Sequence, residues 1–145
     1  MSSTADSTYV GTRPVSPQHA FDEGKLAAFI RDQVTEFQGA LTVSQFKGGQ
    51  SNPTFLVQAG TQQYVLRRKP PGVLLPSAHA VDREFKVISA LAGTDVPVAK
   101  AHALCQDPEV IGTDFYLMDY VPGRIFWDPK LPDVPAHERP ALYDE

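Results

Sequence analysis

Gly48-Gly49-Gln50-Ser51-Asn52-Pro53-Thr54-Phe55 joins two stretches that read as strands. Upstream, Leu41 to Phe46 is apolar at 41, 43 and 46. Downstream, Pro53 to Val57 is a second strand, and Tyr64-Val65-Leu66-Arg67 is a third after the turn at Gly60-Thr61. Two glycines followed by small polar residues let a backbone approach a ligand closely and turn its N–H groups toward it. A plain hairpin turn accounts for the same residues, because Gly and Asn accept positive φ at little cost. Taken alone, the stretch leaves both readings open.

The surrounding chain narrows the class. Its 145 residues suit one domain with a real core, and 42% hydrophobic with 21% charged residues is an ordinary globular balance. A net charge of −4 argues against nucleic acid as a partner. The single cysteine, Cys105, permits no disulfide within the chain and fits a reducing cytoplasm. No basic region followed by an apolar core marks a signal peptide, and no apolar run approaches the ~20 residues of a membrane span.

Residues 1–18 are rich in Ser, Thr and Pro without apolar periodicity and read as a mobile tail. Asp22 is placed to cap a helix reaching about Phe37, with Leu26, Phe29, Ile30, Val34 and Phe37 at helical spacing and Gln38-Gly39 closing it. After the three strands comes the breaker Lys69-Pro70-Pro71-Gly72. A second helix is expected over Ala78 to Leu91, with Val81, Phe85, Ile88 and Leu91 on its apolar side. A strand follows Val96-Pro97-Val98 through about Cys105, and Phe115-Tyr116-Leu117-Met118 reads as a strand buried on both faces. From Asp128 to Pro140 the chain is Pro-rich, and Ala136 to Glu145 looks like the start of a further helix. Helix, three strands, helix and two strands predict an α+β fold: a five-stranded antiparallel sheet packed on the second helix, with the first helix beside it. The expected divisions are a tail (1–18), a lobe (19–123) and a connector leading to a second lobe (124–145).

Several words in this order resemble a known family. They are Gly-Gly-Gln-Ser-Asn-Pro-Thr-Phe (48–55), Tyr-Val-Leu-Arg (64–67), Arg-Glu-Phe (83–85), Val-Pro-Val (96–98) and Phe-Tyr-Leu-Met-Asp-Tyr-Val-Pro-Gly (115–123). Together they resemble the protein-kinase-like N-terminal lobe of the aminoglycoside phosphotransferase-like family, which is related to choline and sugar kinases. Within it the chain looks most like kinase-like domains found alone in bacteria and fused to acyl-CoA dehydrogenases in animals. That closer likeness rests on Arg67-Arg68-Lys69-Pro70-Pro71-Gly72, Ser77-Ala78-His79-Ala80-Val81 and Gly123-Arg124-Ile125-Phe126.

The resemblance implies ATP and Mg²⁺, a small-molecule acceptor hydroxyl and a set of site residues. Arg67 stands where protein kinases carry the strand lysine that holds the α- and β-phosphates, and Glu84 is its implied helix partner. As bare residues, Arg67 is a strand-end charge like Arg68 and Lys69, and Glu84 is one member of an exposed Asp82-Arg83-Glu84-Lys86 face. Gly48, Gly49, Gln50, Ser51 and Asn52 would present N–H groups to the β- and γ-phosphates. Met118 would back the adenine pocket, with the Asp119 carbonyl and the Val121 N–H addressing the adenine edge. Met118 as plain core is the competing reading.

Other chemistries find no support. His19, His79, His102 and His137 show no metal-ligand spacing, and no Gly-x-Ser-x-Gly elbow is present. The family's His-Gly-Asp-x-x-x-x-Asn loop and following metal-binding Asp are absent as well, Asn52 being the only asparagine. The expectation is therefore half of a nucleotide site, with no catalytic residue in this chain and the C-terminal lobe missing. Such a fragment would be inactive alone, and its uncovered lobe face around Val121 to Trp127 would favour self-association. A reading of another class stands beside it: a non-catalytic nucleotide-binding or protein-interaction module.

Overall fold

The structure is a computed structural model that describes residues 11–47, 52–70, 80–123 and 129–144. Within them lie strands β1 (Thr12–Arg13), β2 (Leu41–Phe46), β3 (Thr54–Ala59), β4 (Gln62–Arg68), β5 (Ala101–Cys105) and β6 (Phe115–Asp119). Helices are α1 (Glu23–Gln33), α2 (Val81–Leu91), the single turn α3 (Pro108–Ile111) and α4 (Arg139–Tyr143). One antiparallel sheet runs β1-β2-β3-β4-β6-β5.

The five expected strands are present, and β1 adds a sixth at the edge. Thr12 and Arg13 pair with Phe46 and Gln45, and Lys47 N–H donates to the Gly11 carbonyl at 3.2 Å. The segment expected as a mobile tail is thus described from Gly11 onward as strand and turn. Its anchor is polar: the Ser16 N–H donates to Gln45 Oε1 at 3.0 Å, which satisfies a Gln side chain only 6% exposed.

Pleating divides the sheet into two faces. Phe55, Val57, Ala59, Tyr64, Leu66, Phe115 and Leu117 point to one face and join Leu26, Ile30, Val34 and Phe37 in the core. Each fully buried Leu, Ile or Phe there contributes about 1.5–3 kcal/mol of transfer free energy. Ser44, Phe46, Leu56, Val65, Arg67, Tyr116 and Met118 occupy the alternate positions and so face the other way. Helix α2 packs on that second face at the β5–β6 end.

Helix α1 begins as expected, with Asp22 Oδ1 accepting from the Lys25 N–H at 3.0 Å. It ends at Gln33 rather than near Phe37, because Val34 turns extended at φ −122° and ψ 105°. Val34 and Thr35 are β-branched and weaken the helix there. Val34 and Phe37 still reach the core, through a turn in which the Phe37 N–H donates to the Val34 carbonyl. Helix α2 starts at Val81; residues 78–79, which the expected helix included, lie outside the described residues.

Arg68 overturns the expectation of a cheap exposed charge. It is 4% exposed, because its place on β4 points it to the same core face as Tyr64 and Leu66, at the strand end opposite Phe115. Its Nε donates to Thr113 Oγ1 at 3.0 Å, Nη1 to the His19 carbonyl at 3.1 Å and Nη2 to the Ile111 carbonyl at 3.2 Å. The Phe21 ring lies 5.3 Å from the guanidinium carbon. Burial lowers the guanidinium pKa from its ordinary value, and it is held by neutral oxygens that would otherwise be unsatisfied.

Candidate functional site

The second face of the sheet carries the candidate site. The register places Thr54 opposite Arg67 and Arg67 opposite Tyr116. One pleat further along, Ser44, Leu56, Val65 and Met118 form a row across four strands. A polar row therefore lies beside an apolar one. Both are fixed by strand pairing.

Glu84 projects from the first turn and a half of α2 onto the polar row. Arg67 Nε donates to Glu84 Oε2 at 2.9 Å and Arg67 Nη2 to Oε1 at 3.1 Å, the two-pronged arrangement that suits guanidinium and carboxylate. Asn52 Nδ2 donates to Oε1 at 3.3 Å, and the Tyr116 hydroxyl donates to Oε2 at 2.8 Å. The carboxylate thus accepts from three side chains, and Asn52 and Tyr116 are themselves buried. Arg67 and Glu84 keep 27% and 35% of their side-chain surface exposed. Among the described residues Arg67 Nη1 makes no hydrogen bond, so part of the fork still faces the groove. Burial first, and then the bond to Glu84, push the Tyr116 phenol well above its ordinary pKa, keeping it a donor.

Beside this cluster an open groove of about 490 Å³ is lined by Arg67, Arg83, Glu84, Val87, Ile88, Tyr116 and Met118. Met118 is half-buried at its end. Asp119 and Val121 lie where β6 leaves the sheet. The Asp119 carboxylate pairs with His102 Nε2 at 2.5 Å, and Val121 is 67% exposed.

The structure therefore brings Arg67, Glu84 and Met118 to one groove and bonds Asn52 to Glu84 beside it, whereas Asp119 and Val121 are not among the groove's lining residues. Gly48, Gly49, Gln50 and Ser51 lie outside the described residues, as do 124–128 of the expected apolar patch. Sequence reasoning missed Tyr116, taken only as part of an apolar strand. Its hydroxyl was the signal: it is the one side-chain polar oxygen in the run Phe115 to Met118, and a buried phenol requires a partner. Among the described residues, no group of three or more His, Cys, Asp and Glu could hold a metal ion. No helix among them is long and apolar enough to cross a membrane.

A model of the phosphotransferase enzyme family matches residues 42–145. The mouse acyl-CoA dehydrogenase family member 11 is 51% identical over 136 residues, which make up 91% of this chain and 18% of that protein. A probable acyl-CoA dehydrogenase of Arabidopsis thaliana, IBR3, is 53% identical over 137 residues, 89% of this chain and 17% of the relative. The likeness expected for animal proteins thus extends to a plant. A solved structure of a putative aminoglycoside phosphotransferase from Ralstonia eutropha superposes with a TM-score of 0.73 at 51% identity, covering 87% of this chain and 36% of that one. The chain spans less than a fifth of these curated relatives and about a third of the solved neighbour.

Proposed function

The chain belongs to the phosphotransferase enzyme family, and from that premise we propose that it is the nucleotide-holding lobe of an ATP-dependent phosphotransferase with a small-molecule hydroxyl as acceptor. The observation that carries this reading is the two-pronged Arg67–Glu84 pair, with Asn52 at the foot of the Gly-rich turn reaching the same carboxylate. Glu84 fixes the guanidinium in one orientation, and the N–H groups it does not engage point a preformed donor set at an anion. Asn52 bonds to the same α2 carboxylate as Arg67, so the residue that follows the Gly-rich turn in the sequence is tied to the fork that phosphate oxygens would meet.

The residues fit a nucleotide: a cationic fork on one row of the second face, and on the next row the Leu56–Val65–Met118 strip, with the Asp119–Val121 backbone following Met118 in the chain. When bound, ATP with Mg²⁺ supplies the transferable phosphoryl group. This chain's part is to bind and orient it, with Met118 backing the base and Asp119 and Val121 addressing its edge. A proton acceptor for the hydroxyl and carboxylates for the metal would come from outside this chain, so we expect no turnover from it alone. An aminoglycoside-type acceptor accords with the solved neighbour's name, and a hydroxyacyl-type acceptor is the reading suggested by the likeness to acyl-CoA dehydrogenase family proteins.

The test is calorimetric titration of the chain with Mg-ATP, alongside an assay on a panel of hydroxyl compounds. Saturable binding lost in Arg67→Ala, without turnover, supports the reading. Absence of binding in the unaltered chain, or turnover that survives Arg67→Ala, overturns it.

A further inference from the structure

In the sequence Gly48 to Ser51 fall between β2 and β3, and the last pair those strands make before them is Gln45 opposite Phe55. Both side chains lie on the core face, Gln45 at 6% exposure and Phe55 fully buried. Two contacts from residues 11–21 land on this single rung. The Ser16 N–H donates to Gln45 Oε1 at 3.0 Å, and the Phe21 ring meets Phe55 edge-on with centroids 5.4 Å apart. Beyond the rung, Thr12 pairs with Phe46 and the Gly11 carbonyl accepts from the Lys47 N–H, immediately before Gly48. Arg68 closes the frame from the other side. Its N–H donates to the Pro53 carbonyl and its Nη1 to the His19 carbonyl, both at 3.1 Å.

One segment thus grips the chain on both sides of the Gly-rich stretch, at Gln45 to Lys47 before it and, through Phe55 and Arg68, after it. Without that segment the end of β2 would be a bare sheet edge, the kind of place where pairing opens first. The grip comes from the face opposite the groove, and none of residues 11–21 is among the groove's lining residues. Its effect on a ligand is therefore selective. Asn52 and the Glu84–Arg67 fork depend on where the hairpin ends, because Asn52 bonds Glu84 Oε1. The Leu56–Val65–Met118 strip is held by the β3–β4–β6 pairing, which residues 11–21 do not join.

We propose that residues 11–21 are a positioning strap for the Gly-rich turn, fastened by the Ser16–Gln45 bond, and that this fastening sets affinity for the phosphate end of a nucleotide. The proposal rests on the nucleotide reading above and adds Gln45, on the far side of the sheet, as a positioning residue that touches no ligand. Fastened, the strap holds the hairpin stem in one register, so the turn and Asn52 meet an anion from a fixed base. Unfastened, part of the binding free energy is spent on ordering that stem.

Ser16 has φ −63° and ψ 141°, which proline adopts without strain, so Ser16→Pro deletes one N–H and keeps the backbone path. Calorimetric titration of the 145-residue chain compares two probes: Mg-ATP, and adenosine, which carries the base without phosphates. Ser16→Pro should weaken Mg-ATP about fivefold and leave adenosine within about twofold. Ser16→Ala keeps the N–H and should bind both probes as the unaltered chain does. A proline variant that loses both probes equally overturns the strap. An unaltered chain that binds Mg-ATP no more tightly than adenosine sinks the phosphate half of the nucleotide reading and the strap with it. A preference for Mg-ATP that survives Ser16→Pro in full sinks the strap alone. Should the proline variant fail to fold, amide hydrogen exchange on the unaltered chain decides, because such coupling is reciprocal. Mg-ATP should then raise protection of the Ser16 and Lys47 amides about fivefold and adenosine should not; equal protection with and without Mg-ATP overturns the strap.

Discussion

The Tyr116 hydroxyl donates to Glu84 Oε2 at 2.8 Å from a ring that is 1% exposed. A strand residue thereby holds a helix carboxylate in place, and the same oxygen accepts from Arg67 Nε. The ring of Phe85 lies 6.2 Å from that of Tyr116, so helix and strand are joined by apolar and polar contact together.

A pH dependence follows for stability. Burial and the Glu84 bond raise the folded-state pKa of Tyr116 above the value of about 10 for a free phenol. The neutral form is the one the fold favours, so this contribution is complete below pH ~10 and falls away as pH rises toward the folded value. Denaturation midpoints should drop above pH ~10, and Tyr116→Phe should flatten part of that drop while costing about 1–3 kcal/mol at neutral pH. Tyr64 and Cys105, both also raised by burial, add to the same drop. Urea titrations at pH 7 and above 10 check both arms.

Glu84→Gln keeps the shape of the side chain and removes its charge. As a contact with 27% and 35% exposure, the Arg67 pair itself contributes about 0–1 kcal/mol to stability. The amide NH2 also deprives buried Asn52 or Tyr116 of an acceptor, however, so the melt should fall by the equivalent of about 1–3 kcal/mol. Nucleotide affinity should fall several-fold, since the guanidinium loses its fixed orientation. An unchanged Mg-ATP isotherm would reduce the pair to a surface contact.

Arg68→Met should be far costlier. The replacement fills similar volume but leaves the His19 and Ile111 carbonyls and the Thr113 hydroxyl without their donor. Several buried unsatisfied groups together cost about 3 kcal/mol or more, which lowers the melting temperature by about 10 °C for a chain of this size. Lys69→Met, at a side chain 30% exposed and paired with Asp114, is expected within about 1 kcal/mol of the unaltered chain. Thermal melts of the two variants should separate cleanly.

Cys105 is 3% exposed, and burial pushes its thiol pKa above the ordinary range. The thiolate is the reactive species, so a disulfide reagent at pH 8 should modify the folded chain slowly and the urea-unfolded chain at once.

Much of the architecture was legible because the sheet's pattern is simple. The short apolar runs of β3, β4 and β6, bounded by turn residues, mark those strands without help from tertiary contacts. Arg67 and Glu84 became a pair only through the family resemblance, since neither spacing nor composition separates Glu84 from Asp82 and Lys86. What escaped was set by non-local partners. Thr12–Arg13 is a strand only because β2 offers an edge, and Arg68 is buried only because His19, Ile111 and Thr113, each more than forty residues away, supply oxygens. Val34 illustrates the opposite failure, where correct apolar spacing continued past the point at which the backbone leaves the helix.

The two-residue strand at Thr12–Arg13 also bears on how the molecule meets its own copies. An open sheet edge is a template for strand addition, and natural sheets blunt it with short strands, charge and bulges. Here Thr12 and Arg13 occupy the partners of Phe46 and Gln45, leaving Leu41 to Ser44 as the remaining outer stretch of β2, and Arg13 adds a charge to that margin. At the opposite margin β5 is five residues long and its pairing with β6 is irregular between Ala101 and Ala103. Among the described residues neither rim presents a long, regular ladder, so growth into stacked strands is discouraged at both ends of the sheet.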